Sequence, residues 1–211
     1  MFSQSITRAT LATTLWPTDA AQTWLRGSIL AVCGSLLVAL SAQVQVPLWP
    51  VPVTGQTFAV LVVGMAFGWR LGAATLLLYA MEGALGLPVF AQFSGGPAVL
   101  AGPTGGFIAG FVLAAALVGY LAERGWDRSV PLTALAMLAG NLAIYLPGLA
   151  WLALFYAGPG QAYIADTGAS GPLGAAFAAG FLPFVFGDLL KVMLAAANLP
   201  LVWRAAMRRR R

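Results

Sequence analysis

The chain has 211 residues, 60% of them hydrophobic and 8% charged, with a mean hydropathy of +0.87 and a net charge of +5. Soluble domains are about a quarter charged, so this composition describes an integral membrane protein, of a length that allows one bundle rather than several domains. Histidine is absent and Cys33 is the single cysteine, which excludes His-based catalytic triads, His-ligated haem, most zinc sites and a disulfide framework; no cofactor is expected.

Residues 1–25 have no continuous apolar core before Asp19 and Arg26. They read as a cytoplasmic segment lying along the membrane surface rather than as a cleaved signal peptide. Six apolar runs follow within residues 26–204: Gly27–Val44, Gln56–Trp69, Leu71 to the fading "GALGLP" at Gly83–Pro88, Gly106–Ala122, Pro131–Tyr156 and Leu173–Trp203. A transmembrane helix takes about 20 apolar residues, so an all-α bundle of six spans is expected. Three prolines in "VPLWPVPVTG" (Val46–Gly55) separate the first two runs, since proline breaks a helix interior. Residues 205–211 form a basic cytoplasmic tail, suited to topology and to anionic membrane lipid.

Six spans put both termini on one side, and the arginines test that count. Arg8, Arg26, Arg70, Arg124, Arg128, Arg204 and Arg208–Arg211 fall on the terminal side, while the loops Val44–Thr57, Leu87–Gly105 and Ala157–Pro172 hold no Lys or Arg. By the positive-inside rule the termini are cytoplasmic. The three opposite loops are rich in Pro, Gly and aromatics, and serve either as a lid or as plain connectors.

Three ionisable residues remain at or near membrane depth: Glu82, Asp188 and Lys191. Charge there is costly and usually faces the interior. Glu82 is either an interfacial residue or part of a site rim. Asp188 and Lys191 are three apart, on one helix face, and either fix helix packing as an ion pair or anchor a small polar ligand. Asn141 and Tyr145 share a face one turn apart, and Gln56 and Thr57 open the second run; Asn141 either bonds a neighbouring helix or joins the site. Small residues at spacing four, including Ala31/Ser35/Ala39, Gly64/Gly68 and Gly106/Gly110, permit close helix approach. The Ala31/Ser35/Ala39 stripe either packs internally or docks a partner membrane protein.

Four phrases in order, "PVPVTGQTFAVLVVG" (Pro50–Gly64), "GALGLPVFAQFSGG" (Gly83–Gly96), "GPTGGFIAGF" (Gly102–Phe111) and "GDLLKVMLAA" (Gly187–Ala196), together resemble the BioY family, the biotin-binding S-components of energy-coupling-factor (ECF) vitamin transporters. The resemblance covers about Val46 to Ala196. It implies a six-helix S-component-like bundle in a bacterial cytoplasmic membrane, with biotin held under the outer loops. It also implies a transmembrane coupling subunit and ABC-type ATPases as partners. In that family the acid and lysine of the last helix belong to the ligand site; here they are Asp188 and Lys191. Lys191 is then expected to take the biotin carboxylate, Asn141 and Gln56 the ureido ring, and Trp49, Phe90 and Phe93 the apolar core, with Tyr145 beside Asn141.

The chain carries no Walker motif, so ATP-driven work falls to another polypeptide. Neither a nucleic-acid partner nor enzymatic activity is expected, because no paired-carboxylate or Ser/Lys arrangement sits at matching depth. The alternative to an ATPase-dependent capture subunit is a self-sufficient biotin carrier.

Overall fold

The computed structural model describes residues 9–17 and 22–208. The N-terminal segment and the arginine tail therefore lie partly outside the described residues: Arg8 and Arg209–Arg211 among them. Among the described residues the regular structure is helical, apart from a two-stranded ribbon and an isolated bridge between Phe90 and Ser94. A short helix α1 (Leu11–Leu15) precedes α2 (Thr23–Gln43); then come α3 (Gln56–Phe67), α4 (Trp69–Ala84), the short α5 (Pro97–Ala101), α6 (Gly105–Glu123), α7 (Val130–Ala157), α8 (Pro172–Gly180) and α9 (Val185–Arg208). Strands β1 (Gln45–Val46) and β2 (Val53–Thr54) pair antiparallel and fold the proline-rich loop between α2 and α3 into a hairpin.

Among the described residues, Thr23–Gln43, Gly105–Glu123, Val130–Ala157 and Pro172–Arg208 are long and apolar enough to cross a membrane. With these apolar helices the chain is a multi-pass membrane protein. Helix α3, at 12 residues, and α4, at 16, are shorter than the expected runs. Gly68 ends one and begins the other with φ 84°, a left-handed conformation open to glycine, and its N–H closes on Gly64 O. The last expected run also differs: a 3-10 turn at Leu182–Phe184 splits it into α8 and α9. Pro183 lacks the N–H that would continue the α8 ladder.

Helix α6 is the centre of the bundle. It packs along α7 and against both α3 and α4, while α2 lies on α4, and α8 and α9 lie on α7. The core joins Val60, Leu61 and Met65 of α3 to Leu76 of α4, Ala114, Ala115 and Val118 of α6, and Met137 and Ile144 of α7, all essentially inaccessible. The small residues act at crossings, with Gly64 against Ala115 and Gly110 against Ile144. The outward faces carry Leu36, Leu40, Leu142, Leu146 and Leu154, an apolar exterior suited to lipid.

At one end of the bundle, contacts tie the end of α6 and the α6–α7 connection to the neighbouring elements. Glu123 accepts from the Trp69 N–H at 3.1 Å, joining the end of α6 to the start of α4. Arg128 donates to Ala9 O at 3.3 Å and its guanidinium lies 4.6 Å from the Trp203 ring centre. Helix α1 packs on α3 and α9 there, with Leu11 and Thr14 buried.

Candidate functional site

At the opposite end, where the loops carry no Lys or Arg, they fold partly over the helices and cover a cavity of about 400 Å³. Its cover is Leu48–Pro52 of the hairpin together with Phe90–Gln92 and Ala98–Thr104 of the α4–α6 connection; its base is the start of α3, Phe107 and Phe111 of α6, Tyr145 of α7, and Phe184. The lining is mostly apolar, with Thr54, Gln56, Thr57 and Tyr145 as a polar corner. This is the usual chemistry of a small-molecule site: apolar walls and a few placed polar groups.

The ion pair stands directly behind that corner. Lys191 Nζ lies 3.0 Å from Asp188 Oδ1, donates to Thr57 Oγ1 at 2.7 Å and to the Thr54 carbonyl at 2.9 Å. Thr57 donates to Asp188 Oδ1 at 3.3 Å, and Tyr145 donates to Asp188 Oδ2. Every ammonium proton and both carboxylate oxygens are thus engaged, as a buried pair requires. Neither charged side chain forms the cavity wall itself; Thr54, Thr57 and Tyr145 do.

A second polar chain runs from the same corner into α4. Thr54 Oγ1 donates to Gln56 Oε1 at 3.1 Å, Gln56 Nε2 donates to Tyr79 Oη at 2.5 Å, and Tyr79 donates to Val89 O at 3.1 Å. Tyr79 is fully buried and meets Phe90 edge-on, with ring centres 5.4 Å apart. The loop bearing Phe90 is held from α2: Gln43 Nε2 donates to Phe90 O at 3.0 Å, and Gln43 Oε1 accepts from the Phe93 N–H at 3.1 Å. Between these points Gln92 and Phe93 take positive φ, 59° and 53°, the left-handed region uncommon for such residues. Trp49 of the hairpin meets Tyr163 of the α7–α8 connection, ring centres 4.3 Å apart, so a third loop touches the cover.

The cavity therefore brings together Trp49, Gln56, Phe90 and Tyr145, with Asp188 and Lys191 immediately behind. It does not bring in Phe93, which is 71% exposed, nor Asn141, which is buried on α7 one turn from Tyr145 but outside the lining. The turn at Gln92–Phe93 points the second aromatic away. Ser35 is fully buried and donates to Glu82 Oε1 at 3.2 Å, and Ala39 packs against the core. Of the Ala31/Ser35/Ala39 stripe, Ser35 thus faces the chain's own α4 while Ala31 and Ala39 are half-buried, and Glu82 bonds α2 and does not line the cavity. Sequence reasoning did not find Tyr79, Thr54, Phe107 or Phe184. Tyr79 carried one usable signal: a phenol in an apolar span needs a hydrogen-bond partner.

A family model described as the BioY family matches residues 10–208. The chain is 40% identical over 159 residues to a probable biotin transporter BioY of Pyrococcus horikoshii, covering 75% of this chain and 85% of that one. It is 37% identical over 172 residues to a biotin transporter BioY of Thermotoga maritima, covering 82% and 92% respectively. A crystal structure of the S-component for biotin from an ECF-type ABC transporter superposes with a TM-score of 0.70 at 18% identity, covering 89% of this chain and 95% of the other. That last likeness is one of fold.

Proposed function

We propose, from the premise that this chain belongs to the BioY family, that it captures biotin as the substrate-specific subunit of an ECF-type ABC transporter and delivers it across the bacterial cytoplasmic membrane. The observation that carries the reading is the capped cavity with one polar corner backed by Lys191 and Asp188. Biotin has a compact apolar bicycle, a ureido group and a carboxylate. The aromatic walls suit the first, Gln56 and Tyr145 the polar groups, and the Lys191 ammonium a carboxylate that takes over one of its internal bonds.

In this reading α2, α3, α4, α6, α7 and the α8–α9 unit are the six spans. Both termini lie in the cytoplasm with the arginines, and the cavity opens outward. A transmembrane coupling subunit and ABC-type ATPases supply the work of release. Asn141 and Phe93, which do not line the cavity, make no direct contact with biotin in this reading.

The test is equilibrium binding of biotin to the purified chain in detergent. Wild type is expected to bind tightly. Lys191→Ala is expected to weaken binding by about 2 kcal/mol or more, since it removes a charge-assisted bond. Because that variant leaves Asp188 buried without its counter-ion, Gln56→Ala serves as a second probe in a chain whose ion pair is intact. Wild-type affinity in both variants, with a normal melting profile, would return these residues to a packing role. No binding by well-folded wild type would refute the biotin assignment.

A further inference from the structure

The hydroxyl of Tyr79 settles an orientation that the cavity alone leaves free. A phenol has one proton. The Val89 carbonyl can only accept, so the Tyr79 proton points to it, at 3.1 Å. The bond between Tyr79 and Gln56, at 2.5 Å, must then be donated by the Gln56 Nε2 amide. The other end of that carboxamide agrees, because Thr54 Oγ1 lies 3.1 Å from Gln56 Oε1 and supplies its proton. Reversing the amide would set a carbonyl oxygen against a phenol oxygen whose proton is spent.

The geometry points to Tyr79 as a positioning residue that fixes which edge Gln56 shows to the ligand. By valence the Gln56 carboxamide keeps one further N–H and one further oxygen lone pair, and the residue lines the cavity wall. A cyclic urea offers the complement, a ring N–H next to a ring carbonyl. Tyr79 itself does not line the cavity and acts through Gln56. The inference rests on the reading that Gln56 contacts biotin, and deepens it to a basis for choosing the ureido group.

Tyr79→Phe keeps the ring that packs on Phe90 and removes only the hydroxyl. The probes are biotin and 2-iminobiotin, whose ring carbonyl is replaced by C=NH, measured by titration on the purified full chain. With the amide free to turn, biotin affinity is expected to fall about tenfold while 2-iminobiotin changes little, so the ratio between them collapses. A merely structural loss would lower both alike and leave the ratio standing, which would overturn the inference. The Tyr79→Phe/Gln56→Ala double variant is expected to bind no worse than Gln56→Ala alone; additive losses would also overturn it. Wild-type affinity in Gln56→Ala removes the reading beneath it, and is a separate result from an unchanged ratio in Tyr79→Phe. Should Tyr79→Phe not fold, Thr54→Val removes the other proton that holds the amide, and the same ratio is read there.

Discussion

Asp127, in the connection between α6 and α7, has no exposure and receives a hydrogen bond from the Trp203 indole. Burial pushes its carboxyl up to about 6, although the Trp203 bond and the Arg128 charge pull the other way. A raised carboxyl binds its proton in the folded chain at pH values where the unfolded chain has lost it. Stability therefore falls as pH rises from about 4 to about 6, and the penalty is complete above that. At about 1.4 kcal/mol per unit, the swing is of the order of 3 kcal/mol. Acidification from neutral pH toward 5 should raise the melting temperature in detergent, and Asp127→Asn, which keeps an acceptor for Trp203, should flatten that rise. Gly83 offers a second test. A methyl group there would intrude on the Phe90 ring, forcing part of the cavity wall to move; Gly83→Ala should lower stability by about 1–3 kcal/mol and weaken biotin binding, and unchanged affinity would show that biotin does not depend on the position of Phe90.

At the scale of elements, α2 ends by gripping a loop 47 residues away: the Gln43 amide bonds Phe90 O and the Phe93 N–H across the left-handed turn. Removing that grip in Gln43→Ala should speed amide hydrogen exchange across Phe90–Ser94 while the α6 and α7 cores stay protected; equal exchange in both proteins would refute the clamp. Much of this layer was legible in the sequence. The prolines of Val46–Gly55 mark the hairpin loop, and the charges in Asp188 and Lys191 mark the polar corner, because intramembrane ions are rarely accidental. The rest depends on contacts that spacing does not encode. Nothing in the local pattern says that Gln43 reaches Phe90, that Ser35 turns to Glu82, or that Thr54 offers its carbonyl to Lys191. The α8–α9 break had a visible signal in Pro183, masked by the apolar run around it.

At the scale of the whole molecule, binding and transport separate. The cavity walls described above are all supplied by this chain, so the isolated chain should bind biotin. Moving it inward should require partners, because no phosphate-binding motif is present in the sequence. Cells expressing this chain alone should therefore accumulate no labelled biotin above a facilitated-leak background, and co-expression with a coupling subunit and ATPases should restore uptake. Concentrative uptake by the chain alone would favour a self-sufficient carrier.

The way Lys191 is bonded has one more consequence, for what the site ignores. All three of its protons already rest on the protein's own oxygens, those of Asp188, Thr57 and Thr54. A chloride or phosphate ion would have to break one of these bonds and brings no ring to fill the aromatic cavity in return. The abundant inorganic anions around a cell are thereby expected to compete poorly. Raising chloride should shift biotin affinity only as general ionic screening does, which lets a scarce vitamin be gathered from a salty medium.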